Sequence, residues 1–176
     1  PEDSSAPSHS ILVESSQVSM GQITYFNAIS LGVKETFPMT KQRKKVILTG
    51  ASGFVGSHIF KSLIDDTDWD IICILREGSY ESLEKYLQSR LKHYFPSCNA
   101  DELLKKVTIL PAQIEREYFG LNPKLYKELA DNVDLIIHSA ADVNLFKSQK
   151  LESNFNIMSV KEVIRFANAK KKKQIH

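Results

Sequence analysis

The chain has 176 residues, 42% of them hydrophobic and 25% charged, a globular composition for one domain or part of one. A net charge of +2 is too small for a nucleic-acid surface, and no apolar run approaches membrane-spanning length. The two cysteines, Cys73 and Cys98, provide neither a disulfide framework nor metal-ligand spacing, and the compartment expected is the cytoplasm.

Residues 1–44 read as a linker or N-terminal extension. Pro1 to Ser10 is rich in Ser and Pro, and the apolar residues after Ile11 keep no clean period, although Tyr25, Phe26, Ile29 and Val33 would fit a short amphipathic helix. The first residue is Pro1 and not Met, so the chain is expected to come from a longer polypeptide.

The run Val46-Ile47-Leu48 predicts a first strand, and Ile59, Phe60, Leu63 and Ile64 predict a helix after it. Between them lies Thr49-Gly50-Ala51-Ser52-Gly53-Phe54-Val55-Gly56. Three of the chain's seven glycines fall at positions 50, 53 and 56. Strand, glycine turn and helix in this order predict a dinucleotide site. Gly50 suits a tight turn, Gly53 lets a pyrophosphate approach the backbone, and Gly56 allows close packing of helix on sheet. Amides at a helix N-terminus favour an anion. Thr49, Gly50, Ser52, Gly53, Phe54, Val55 and Gly56 are therefore the expected contacts of this turn.

A second buried strand is predicted at Ile71-Ile72-Cys73-Ile74-Leu75, with Cys73 a buried small hydrophobe. The residue closing this strand is Arg76, where NAD-binding folds carry an acid for the ribose hydroxyls. A guanidinium suits a 2′-phosphate, so the cofactor expected is NADP(H). The apolar stripe Leu83, Tyr86, Leu87, Leu91 and Tyr94 predicts a helix over 80–94, on which Lys85 or Arg90 would add a second basic contact.

A short helix is expected from Asp101 to near Lys106, then a third strand at Val107-Thr108-Ile109-Leu110 closed by Pro111. A further helix runs from Pro123 to Asn132, and Val133 to His138 forms a fourth strand. The last helix spans about 154–170, with Lys170 to Lys173 as a solvated basic terminus. Gln174-Ile175-His176 read as the start of an incomplete fifth strand. This alternation implies an α/β, Rossmann-like, doubly wound parallel sheet of strand order 3-2-1-4. The cofactor then sits at the carboxyl ends of strands 1 and 4, flanked by Ser139, Ala140 and Ala141. His138 is expected to be packed and hydrogen-bonded, not a general base.

The turn Thr-Gly-Ala-Ser-Gly-Phe-Val-Gly resembles that of extended short-chain dehydrogenases/reductases. From Lys45 to His176 the resemblance narrows to the N-terminal half of the thioester reductase domains of nonribosomal peptide synthetases, polyketide synthases and carboxylic acid reductases, which are related to fatty acyl-CoA reductases. It rests on Val46 to Gly56, on Ile72 to Arg76, on Phe119-Gly120-Leu121, on Val133 to Asn144, and on Asn156 with Glu162 to Ala167. Two segments depart from the family pattern. Ala112-Gln113-Ile114 stands where the family has Gly-Asp-Leu, and Ser159-Val160 stands where it has Gly-Thr.

The resemblance implies that residues 45–176 are the NADP-binding half of a reductase domain. Gln113 and Ile114 would face adenine, and Lys85 would be the second basic residue. It implies reductive release of an acyl or peptidyl thioester from a carrier protein's phosphopantetheine arm, as aldehyde or alcohol, within a multidomain polypeptide. The family's catalytic Tyr-x-x-x-Lys pair lies beyond strand 5, and no such spacing occurs in this sequence. The chain alone is expected to be inactive. The alternatives are another extended short-chain enzyme, of fatty acyl-CoA reductase or sugar epimerase type, and a non-catalytic NADP-binding module.

Overall fold

The structure, a computed structural model, describes residues 43–78, 80–143 and 149–176. The N-terminal extension up to residue 42, with its candidate amphipathic helix, lies outside the described residues, as does Asn144.

Among the described residues five strands form one sheet: β1 (Lys45–Thr49), β2 (Asp70–Leu75), β3 (Val107–Pro111), β4 (Leu135–His138) and β5 (Gln174–Ile175). Their order is β3-β2-β1-β4-β5, and every pairing is parallel. The expected order 3-2-1-4 is borne out, and two residues of a fifth strand close the edge beside β4. Thr49 is in register with Ile74 on one side and His138 on the other. The chain therefore reverses its direction of travel across the sheet between β1 and β4, which opens a crevice at their carboxyl ends.

Alternation along β1 explains why both sheet faces are covered. Val46 and Leu48 join one core with Phe60, Leu63, Leu87 and Leu91. Ile47 joins the other, with Phe119, Val133, Ile136 and Phe166. A strand buried on both faces must be apolar at every position, and Val46, Ile47 and Leu48 are fully buried. Cys73 is buried here too, and burial pushes its thiol up to about 12.

The helices are α1 (Phe54–Asp66), α2 (Leu83–Tyr94), α3 (Ala100–Leu104), α4 (Pro123–Asn132) and α5 (Gln149–Asn168). Helix α2 begins at Leu83 and not at Tyr80, because the Ser82 side chain accepts the Lys85 amide and sets the cap. Helix α5 begins five residues before the expected start, at Gln149, over a stretch containing the strong helix formers Lys150, Leu151 and Glu152. Pro111 ends β3 from within, at an edge where its missing N–H costs no ladder bond.

The basic run after α5 is not simply solvated. Lys170 takes a left-handed φ of 56°, and the Lys173 amide donates to Ala167 C=O at 3.0 Å. Lys173 Nζ donates to Ala169 C=O and Lys171 C=O and lies 4.8 Å from the Phe166 ring centroid. The run is a helix C-cap in which Lys173 is buried.

Candidate functional site

At the carboxyl ends of the strands lies a cleft of about 410 Å³. Its floor is the glycine turn. Gly50 has φ +76°, and a Cβ there would sit 2.7 Å from the Ala140 amide and from Ser139. A Cβ on Gly56 would lie 2.0 Å from Gly50 O. Both glycines are thus required by packing of the protein on itself.

Gly53 differs. Its backbone is extended, and a Cβ would meet only Gly50 O, at an ordinary 3.4 Å. The protein's own atoms give no reason for glycine here, yet the residue lines the cleft at the N-cap of α1. That N-cap carries no side-chain cap and the first turn no acid. The first helical bond runs from Ser57 N–H to Gly53 C=O, so the amides ahead of Ser57 have no helical acceptor. An open Cβ position beside uncapped helix amides fits an anionic group such as a pyrophosphate.

The wall from β4 is fastened to the end of β1. Thr49, fully buried, accepts the Ala140 amide on Oγ1 at 3.3 Å, and the same oxygen lies 2.8 Å from His138 Nδ1. Ser139 Oγ donates to Thr49 C=O at 2.8 Å. His138 is packed as expected, and burial holds its imidazole below the ordinary value. On the far side of this loop Asn156 binds both the amide and the carbonyl of Asp142, at 2.8 and 3.1 Å. Ser159, one of the departures from the family pattern, is fully buried and donates to Asn156 C=O at 3.1 Å.

Arg76 stands at the end of the cleft formed by β2. Its Nη2 lies 3.5 Å from Glu115 Oε1, and its guanidinium carbon is 4.5 Å from the Phe155 ring centroid. Just over half of the side chain is exposed, so the pair with Glu115 is weak and the guanidinium stays available to an anion.

Of the residues expected from sequence, Gly50, Ser52, Gly53, Arg76, Ile114, Ser139, Ala140 and Ala141 line this cleft. Thr49 and Gly56 lie behind it as buried supports, and Phe54 and Val55 are solvent-exposed on the first turn of α1. Two residues are not brought to it. Lys85 pairs with Glu81 and lines a separate groove between α2, α3 and β3. It lies off the stripe that seats α2, about 200° round the helix from Leu87. Gln113 spends its amide on Phe119 C=O at 2.8 Å and its carbonyl on the Arg116 amide at 2.9 Å, in a turn where Tyr118 and Phe119 are left-handed. Its neighbours Ala112 and Ile114 line the cleft instead.

Tyr86 and Phe155 are lining residues that sequence reasoning did not assign. Tyr86 was visible in the α2 stripe as a core residue, but no pattern marked Phe155 as a neighbour of Arg76. Among the described residues no cluster of His, Cys, Asp and Glu could hold a metal, and no helix is long and apolar enough to cross a membrane. The arrangement can hold an anionic dinucleotide, but the described residues that line it include no tyrosine–lysine pair.

Comparison with known proteins agrees with this geometry. Residues 48–176 match the family model described as "Male sterility protein", an NAD-binding family. Over 128 residues the chain is 34% identical to the glycine betaine reductase ATRR of Emericella nidulans, covering 71% of this chain and 10% of that protein. Among solved structures it resembles the terminal R domain from the myxalamid PKS-NRPS biosynthetic pathway, with a TM-score of 0.69 and 26% identity over 79% of this chain and 35% of that one. It also resembles a thiolation-reductase di-domain from an archaeal nonribosomal peptide synthetase, with a TM-score of 0.64 and 26% identity over 75% of this chain and 27% of that one. The chain thus spans about a third or less of each of these three proteins.

Proposed function

The chain belongs to the male sterility protein family, whose NAD-binding fold takes a nicotinamide cofactor, and from that premise we propose that it is the NADPH-binding portion of a thioester reductase. The observation that carries this reading is Gly53: the protein does not need a glycine there, and a ligand at the uncapped N-terminus of α1 does. Arg76 supports the choice of NADPH, because it offers a positive charge where an NAD-specific site would present an acid.

In this reading the residues divide the work. The turn from Gly50 to Gly56 holds the pyrophosphate. Arg76 holds the 2′-phosphate, with Phe155 beneath its guanidinium. Ala112 and Ile114 form the apolar wall for adenine, and Ser139 to Ala141 approach the sugar closely because their side chains are small. Thr49 and His138 keep the two strand ends at fixed separation. When bound, the cofactor supplies the hydride that turns a carrier-bound acyl or peptidyl thioester into an aldehyde and a free thiol, or, with a second hydride, into an alcohol.

The partner proposed is an acyl or peptidyl carrier protein within the same polypeptide, as the thiolation-reductase pairing of one structural relative suggests. Two cysteines with no disulfide between them, one of them buried, suit a reducing cytoplasm. In this reading residues 1–44 are an extension and residues 45–176 are the cofactor half. A second reading, a non-catalytic NADP-binding module, draws on Gln113, which replaces the family's Asp and does not line the cleft.

The test is to supply the whole protein containing this chain with NADPH and an acylated carrier protein. The thioester reductase reading predicts loss of NADPH absorbance with stoichiometric aldehyde or alcohol. NADPH binding without turnover would favour the module instead.

A further inference from the structure

Helix α2 sends one cation to the back of the phosphate turn. Arg90 Nε donates to Ser52 C=O at 3.0 Å, across a sequence separation of 38 residues. The guanidinium is itself held: Nη2 donates to the Tyr94 hydroxyl, and its carbon lies 4.9 Å from the Tyr94 ring centroid. Tyr94 in turn meets Phe54, the first residue of α1, edge to face at 5.8 Å. Buried Leu87 and Leu91 flank Arg90 in sequence and anchor that stretch of α2 in the core.

We infer that Arg90 is a positioning residue for the pyrophosphate turn, acting through the Ser52–Gly53 peptide. This rests on the reading of the cleft as a dinucleotide site. Ser52 lines the cleft and Arg90 does not, so the arginine acts from behind. A carbonyl oxygen directed at a bound phosphate would repel it. Binding Ser52 C=O to a guanidinium draws that oxygen away from the anion and orients the Gly53 end of the peptide. The Gly53 amide meanwhile closes the turn onto Gly50 C=O at 2.9 Å. The bond to a charged donor is stronger than a neutral one, and it fixes a loop whose glycines would otherwise leave it loose.

The sequence pointed to a direct second contact from α2, on Lys85 or Arg90. Lys85 faces away, and Arg90 places its charge on the loop. The proposal differs from a direct phosphate contact in which ligands it affects. Only ligands that seat a pyrophosphate on the turn depend on the Ser52–Gly53 peptide. A ligand held by Arg76 alone does not.

The experiment titrates the full 176-residue chain with NADPH, ADP and adenosine 2′-monophosphate, for wild type, Arg90→Gln and Tyr94→Phe. The expected result is a loss of about tenfold in NADPH and ADP affinity for Arg90→Gln, with adenosine 2′-monophosphate unchanged. Tyr94→Phe, which leaves Arg90 in place but frees it, is expected to shift the same two ligands by about threefold. Should Arg90→Gln not fold, Tyr94→Phe carries the test. Equal losses for all three ligands, a loss confined to adenosine 2′-monophosphate, or unchanged NADPH and ADP affinities would overturn the inference. Wild type binding none of the three would instead overturn the dinucleotide reading itself.

Discussion

Thr49 Oγ1 lies 2.8 Å from His138 Nδ1, joining the carboxyl ends of the two adjacent strands between which the cleft opens. The same hydroxyl oxygen accepts the Ala140 amide, which leaves its proton free for the imidazole nitrogen. Burial lowers the His138 pKa, so the folded state favours the neutral ring that this geometry needs. The sign follows from linkage. The unfolded chain binds the proton more readily, so this stability is complete above the unfolded value of about 6.5 and is lost as pH falls through the folded one. Urea midpoints measured across that range should fall on acidification for wild type and fall less for His138→Asn. Equal slopes would contradict the assignment.

Gly53 and Gly56 should separate binding from folding. Gly56→Ala places a Cβ 2.0 Å from Gly50 O and is expected to cost about 3 kcal/mol of stability. Gly53→Ala meets nothing closer than 3.4 Å and should cost no more than the roughly 1 kcal/mol of an N-cap change, yet weaken NADPH by about tenfold or more. Thermal melts alongside NADPH titrations check both halves.

The fold was legible because strands buried on both faces are continuous apolar runs, as in Val46 to Leu48 and Ile71 to Leu75. The strand order followed from parallel crossover chemistry. The phosphate turn was legible from its glycines, although only the structure distinguishes Gly53 from the two that packing demands. The basic residues of α2 were half legible. The stripe Leu83, Tyr86, Leu87, Leu91 and Tyr94 already put Lys85 on the opposite face, while Arg90 borders it. The Glu115 and Phe155 contacts of Arg76 come from the loop after β3 and from α5, and no local pattern marks them.

Lys85→Ala should leave NADPH affinity within about twofold of wild type, because Lys85 faces a different groove and its ion pair with Glu81 is exposed. A tenfold loss in the same titration would return Lys85 to the site.

Tyr126 is buried against Phe119 and Phe166, and its hydroxyl has no hydrogen-bond partner among the described residues. Removing an unpaired buried hydroxyl relieves a desolvation cost, so Tyr126→Phe should stabilise the fold by about 1 kcal/mol. Chemical denaturation of the two proteins measures it directly.

The central claim is that the cleft binds NADPH, with Arg76 reading the 2′-phosphate. The most direct measurement is a titration of the chain with NADPH and NADH, for wild type and Arg76→Ala. The account predicts preferential NADPH binding in wild type. In the variant, NADPH affinity should drop by about tenfold or more and NADH affinity should stay within about twofold, since a charged phosphate contact is lost from one ligand only. Equal affinities in wild type, or a variant that keeps its NADPH preference, would contradict it.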